Sequence, residues 1–152
     1  MRPEDKLEPG YLFPILADNL FCGLTAKSCA SLAKIKQTKK FHKDETFFSA
    51  GEMPCCVYVL REGEVRIVLN KAQNMTANRL IEPNEIIGLT EAIANLPYEM
   101  KAEAVTSCLC ECIRREDFIR FLRDEPEVCF RLVETLGLNF QKAYKFLFLS
   151  IN

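Results

Sequence analysis

From Lys36 onward the apolar residues come in short runs, each rich in β-branched or aromatic side chains. The runs are Thr38-Lys-Lys-Phe-His42, Thr46-Phe-Phe48, Val57-Tyr-Val-Leu60, Val65-Arg-Ile-Val-Leu69, Asn78-Arg-Leu-Ile81 and Glu85-Ile-Ile87. Turn-forming residues separate them, namely Gly51, Glu62-Gly63, Asn74 and Pro83-Asn84. Short strands at close spacing predict an antiparallel sandwich, barrel or jelly roll. Residues 102–113 read as one further strand, resumed after a helical interruption.

Helical periodicity brackets this β region. Residues 13–20 read as a short helix with Pro14 in its first turn, and Thr25 as the N-cap of a helix over 26–34. Cys29, Leu32 and Ala33 would share that helix's inner face, and Cys22 and Cys29 would pack inward. Residues 115–123 predict another short helix, broken at Asp124-Glu-Pro126. Pro126 suits the first turn of a last helix running to about Phe148. Cys129, Leu132, Val133, Leu136, Phe140, Ala143 and Leu147 follow its period, yet Phe130, Leu138, Phe146 and Phe148 are apolar off that stripe. The helix therefore carries more apolar surface than packing on one barrel requires. Gly137 in its middle would permit a bend or a close approach.

Residues 85–105 form the stretch around which the rest is organised. Gly88 stands where a strand gives way abruptly to a helix. Thr90 reads as the N-cap of a short helix over 91–95, whose free amides would form an anion site. Residues 1–12 read as a polar lead-in, 13–125 as the β-barrel domain and 126–152 as a dimerisation helix.

Composition narrows the functional classes. Twenty basic against 21 acidic residues leave no strongly basic nucleic-acid surface. No apolar run is long enough to span a bilayer, and the charged start lacks a signal peptide's apolar region, so a cytoplasmic protein without a membrane partner is expected. His42 is the only histidine, which argues against two-histidine zinc motifs, histidine-based triads and enzyme activity generally. It reads as a solvated strand end, and the lysines over 34–43 as the wet face of an edge strand.

The eight cysteines read as reduced thiols, because strand and helix periodicity does not suit a small disulfide scaffold. Cys108, Cys110 and Cys112 alternate along a strand and would face one way. Metal-ligand spacings place cysteines around a turn, so three small buried apolar residues is the preferred reading. Cys55-Cys56 precede a strand and follow Pro54, where a redox role is the lesser alternative to a plain turn.

In order along the chain, Leu20-Phe-Cys-Gly-Leu24, Phe47-Phe-Ser-Ala-Gly-Glu52, Val57-Tyr-Val-Leu-Arg-Glu-Gly-Glu-Val-Arg66 and the stretch from Gly88 to Val105 resemble the cyclic-nucleotide-binding domain of CRP/FNR-family transcription regulators. The resemblance covers about residues 13–148. It implies a mainly β fold with flanking helices, a double-stranded β-helix (jelly roll) followed by a long C-terminal helix. It also implies a ligand-sensing and dimerisation domain rather than an enzyme. Partners would be a second copy through the last helix, a small-molecule effector, and DNA through a helix-turn-helix that these residues do not contain.

By the same resemblance, the glutamate that holds the ribose is replaced by Leu89, and the arginine that pairs with the cyclic phosphate by Met100. Neither supplies a charge-assisted hydrogen bond. Lys101 would face away from Met100's side of the strand, and Glu91 would repel a phosphate at the helix start. Candidate ligand contacts are then Gly88, Leu89, Thr90, Glu91, Tyr98, Met100 and Lys101, with Asn139 on the last helix. The expectation is weak or absent cyclic AMP binding, no identified cofactor and an apolar or aromatic ligand if there is one. A thiol-based redox or metal sensor on the same fold is the alternative.

Overall fold

Alternation along the β region becomes two antiparallel sheets in the computed structural model, which describes residues 14–70 and 76–151. The strands are β1 (Lys36–Phe41), β2 (Thr46–Phe48), β3 (Cys56–Glu62), β4 (Val65–Asn70), β5 (Thr76–Ile81), β6 (Ile86–Ile87), β7 (Lys101–Ala104) and β8 (Cys108–Arg114). One four-stranded sheet has the order β1-β8-β3-β6, the other β2-β7-β4-β5. Together they make the expected jelly roll. The predicted turn at Asn74 and the lead-in over 1–12 lie outside the described residues, as do residue 13 and Asn152.

Residues 102–113 are not one strand but β7 and β8, which belong to different sheets. The turn between them is pinned to the β3–β4 turn. The Val105 N–H donates to the Glu64 carbonyl (2.9 Å), and the Glu64 N–H to Thr106 Oγ1 (3.1 Å). Opposite them Gly63 holds φ +96°, and a Cβ there would lie 2.4 Å from the Ser107 carbonyl oxygen. A tertiary contact thus breaks a sequence that locally favours continuation.

The interior between the sheets holds Phe41, Phe47, Phe48, Tyr58, Leu60, Ile67, Tyr98 and Met100, with Cys108, Cys110 and Cys112 buried on one face of β8. A second core lies on the outer face of β3, where Val57 and Val59 meet the helices. Burial of β3 on both faces explains its continuous apolar run. His42 is exposed, and β1, at the edge, leaves Gln37 through Lys40 exposed as expected.

The helices are α1 (Ala17–Leu20), α2 (Ala26–Ile35), α3 (Leu89–Ala94), α4 (Arg115–Asp124) and α5 (Pro126–Ile151). Thr25 caps α2 by accepting the Ser28 N–H at 3.1 Å. The inner face of α2 is Ser28 and Leu32; Cys29 and Ala33 are exposed, as is Cys22. The rotation follows from a polar tie, since Ser28 Oγ donates to Glu125 Oε1 at 2.7 Å and turns that face toward the α4–α5 junction.

In α5 the apolar stripe divides. Val128 and Leu132 are buried, and Cys129 and Leu136 pack on the same cluster, whereas Val133, Phe140 and Leu147 are exposed. Arg131 fixes the first half by donating to the Leu20 carbonyl (2.8 Å) and to that of Cys22. A Cβ at Gly137 would meet nothing within 4 Å. The side chain of Phe146 lies outside what the structure describes.

Candidate functional site

The site begins at the end of β6. Gly88, with φ 79° and ψ 18°, is itself the N-cap of α3 and turns the chain from strand to helix. Thr90 lies inside the helix rather than capping it, and its hydroxyl donates to Glu91 Oε1 at 2.9 Å. α3 ends at Asn95, also left-handed, whose N–H reaches the Glu91 carbonyl. The first turn thus already carries the Glu91 carboxylate, which complements the helix dipole and opposes a bound anion.

Beside this turn is a cavity of about 50 Å³, on the scale of a few water molecules. Phe48, Ile67, Arg79 and Glu85 share its lining with residues 86–91. Arg79 Nη2 donates to Glu85 Oε2 at 2.7 Å, and both side chains are largely buried. The other carboxylate oxygen of Glu85 accepts the Glu82 N–H at 3.2 Å. The arginine's charge is therefore neutralised inside the cavity.

Aromatic rings fill the interior behind it. Phe48 and Tyr98 stack with centroids 3.6 Å apart and planes 7° apart, and Phe41 and Phe47 stack at 3.8 Å. Tyr58 meets both Phe41 and Phe47 edge-on. A Cβ on Gly88 would sit 3.4 Å from the ring and hydroxyl of Tyr98, so the tyrosine packs directly under the glycine turn. The β2–β3 loop holds Tyr98 through its backbone: its N–H donates to Glu52 (3.0 Å) and its carbonyl accepts from Gly51 (2.7 Å). Burial pushes both the Tyr58 and Tyr98 phenols well above their ordinary range, keeping them neutral.

The family described as "Cyclic nucleotide-binding domain" matches this chain over residues 38–125. The chain belongs to the cyclic nucleotide-binding domain family. Solved structures agree on the fold. The catabolite activator protein of Thermus thermophilus superposes with a TM-score of 0.78 at 22% identity, over 86% of this chain and 62% of that one. The N-terminal domain of a transcriptional regulator from Streptomyces coelicolor A3(2) gives 0.69 at 22% identity, over 82% and 89%. The sensor domain of the transcriptional regulator DNR from Pseudomonas aeruginosa gives 0.68 at 20%, over 79% and 86%. This chain thus spans under two thirds of the Thermus protein. No curated protein sequence matches it significantly.

Within this cyclic nucleotide-binding domain Tyr98 adjoins the Gly88 turn, whereas Lys101 and Asn139 lie apart from it. Gly88, Leu89, Thr90 and Glu91 border the cavity. Leu89 is buried in the helix-side core with Val57 and Ile86, which accounts for its apolar character. Tyr98 and Met100 belong to the barrel interior. Lys101 points the other way and pairs with Glu103 at 3.1 Å, while Asn139 is half-buried on α5, outside the cavity lining.

The Arg79–Glu85 pair and Phe48 are the cavity residues that sequence reasoning missed. Alternation carried one signal. Arg79 is two places from Ile81 on β5 and pairs with Ile67, so an arginine stands on the inward face.

Arg115 joins the stretch from Gly88 to Val105, the cassette, to the C-terminal helices. Its Nε donates to the Ala92 carbonyl of α3 (2.7 Å), and its backbone N–H to the Cys55 carbonyl (2.9 Å).

Proposed function

We propose that this chain is the ligand-sensing and dimerisation domain of a CRP/FNR-like transcription regulator, and that its cassette has lost cyclic AMP binding. The barrel over 13–125 would sense, the helix over 126–152 would join two copies, and a DNA-binding unit outside these residues would be repositioned. It acts as a binding module, not an enzyme. No described helix is long and apolar enough to cross a membrane.

The observation that carries the proposal is the second half of α5. Phe140, Tyr144 and Phe148 stack along one face with centroids 6.4 and 6.2 Å apart, and each is more than half exposed, Phe140 at 65%. Leu138 and Leu149 extend the exposed apolar surface. So long an apolar face is the usual mark of an interface, and a second copy in a symmetric pair is its simplest cover. Ligand-dependent shifts at α3 would reach that pair through Arg115 and α4.

Loss of cyclic AMP binding is supported by the cavity's size, by Glu91 in the first turn of α3 and by the neutralised Arg79. An apolar effector of few atoms suits the cavity better. The metal form of the alternative has no support: among the described residues no group of three or more His, Cys, Asp or Glu could hold an ion.

Light scattering on the sized protein tests the dimer. Twice the chain mass is expected, falling to a monomer in Phe140→Asp/Tyr144→Asp with an unchanged circular dichroism spectrum. A monomeric parent at tens of micromolar would sink the dimer reading. A separate melting titration tests the ligand reading, since a ligand that binds only the folded state raises Tm. Millimolar cyclic AMP is expected to leave Tm unchanged, and a saturable rise would overturn the lost-site argument.

A further inference from the structure

Three cysteine sulfurs run from the surface into the barrel next to the cassette. Cys55 is exposed, Cys56 half-buried and Cys112 buried. Tyr58 is directly opposite Cys112 in the β3–β8 ladder, and Cys56 is two places along on the same face. Cys56 therefore meets Cys112 across a diagonal, and it packs against the interior cluster that contains Cys112. The thiols of Cys55 and Cys56 influence each other's ionisation, and so do those of Cys56 and Cys112, as neighbouring sulfurs do. Cys108 and Cys110 continue along the same face of β8, but Cys112 is the one that lies diagonal to a thiol of the neighbouring strand.

From this placement we infer that Cys56 and Cys112 form a reversible disulfide when the protein meets a small hydroperoxide. One thiolate attacks the O–O bond, giving a sulfenic acid and releasing the alcohol, or water from hydrogen peroxide itself. The second thiol then condenses with the sulfenic acid, forming the S–S bond and expelling water. Two thiols lose two electrons, and the peroxide gains them.

The environment favours Cys112 as the attacking sulfur. The neighbouring Cys56 thiol favours its thiolate against the opposing effect of burial, and the Lys39 ammonium helps. The partner thiol Cys56 is held protonated by the same contact and by burial. At 7% exposure Cys112 admits only a small oxidant. Closing the bond across a diagonal strains the ladder, and strained disulfides are the more easily reduced.

The position matters for the domain. A Cβ on Gly88 would lie 3.8 Å from the Cys56 carbonyl, and the Cys55 carbonyl holds the first residue of α4. Oxidation would therefore be felt at the start of the cassette and at the start of α4, whether or not a ligand binds there.

The test is peptide mapping of the folded protein after brief hydrogen peroxide treatment, with free thiols alkylated under denaturing conditions. The expected product is a peptide pair joined through Cys56 and Cys112, two hydrogens lighter and restored by dithiothreitol. It should persist in Cys55→Ser and vanish in Cys56→Ser, where a sulfenic acid trapped by dimedone at Cys112 takes its place. Full alkylation of Cys56 and Cys112 while exposed Cys22 and Cys29 oxidise would overturn the inference. So would a Cys55–Cys56 bond as the only product. Circular dichroism of each variant before oxidation excludes loss of fold as the cause.

Discussion

Phe118→Ala is expected to lower the unfolding free energy by about 3–5 kcal/mol. Phe118 is fully buried at the junction where β3, β8, α4 and α5 meet. Val57 and Val59 approach from β3, Ile113 from β8, Phe121 and Leu122 from α4, and Val128 and Leu132 from α5. Removing the ring takes away its transfer free energy and leaves a cavity walled by two β-strands and two helices. Strands held in two ladders relax little into such a space. A domain of this size has about 5–15 kcal/mol in all, so the loss is a large fraction of it. Urea unfolding should show a lower midpoint with an unchanged slope, and Phe118→Leu should recover more than half of the loss. A change below about 1 kcal/mol would mean that α4 is not anchored through this residue. The consequence reaches function, because α4 is the element between the cassette and α5.

The strands were legible because half-buried sheets repeat every two residues, as the runs at 65–69 and 78–81 do, and because a strand buried on both faces reads as a continuous apolar run, as 57–60 does. The burial of Cys108, Cys110 and Cys112 followed from the same rule. The break after Ala104 was not legible, since Val105-Thr-Ser107 has ordinary strand composition and only the contact with Gly63 and Glu64 turns it. Nor was the inner face of α2, because Ser28 is drawn inward by Glu125, a partner distant in sequence. Thr90 matched the N-cap pattern, but a left-handed Gly88 takes that position two residues earlier than expected and moves the helix start with it. The stripe on α5 was correct as a helical period. Sequence periodicity cannot say which part of the stripe meets the parent barrel, and here that contact ends near Leu136.

The cassette itself was located by sequence, yet its electrostatics rest on a pair six residues apart, across the β5–β6 turn. Arg79→Ala is expected to cost about 3–5 kcal/mol, because it strands the Glu85 carboxylate in a site from which water is largely excluded. The penalty is not the worth of the ion pair. It is the desolvation left uncompensated when one partner goes, and the Glu82 N–H alone does not balance it. The two effects separate in a double-mutant cycle. Arg79→Met with Glu85→Leu replaces both charges by apolar groups and should regain most of the stability, since an apolar pair of similar volume is often as stable as a buried ion pair. If Arg79→Ala alone costs less than about 1 kcal/mol by urea unfolding, the pair is open to water and the account of a closed, neutralised cavity fails. If it costs the full amount and the double variant stays equally weak, packing of the arginine stem against Ile67 and Ile81 matters more than its charge. In the expected case the single variant is much weaker than both the parent and the double variant. Glu85 is then what keeps Arg79 from a bound anion, as the proposed loss of cyclic AMP binding requires of the cavity wall.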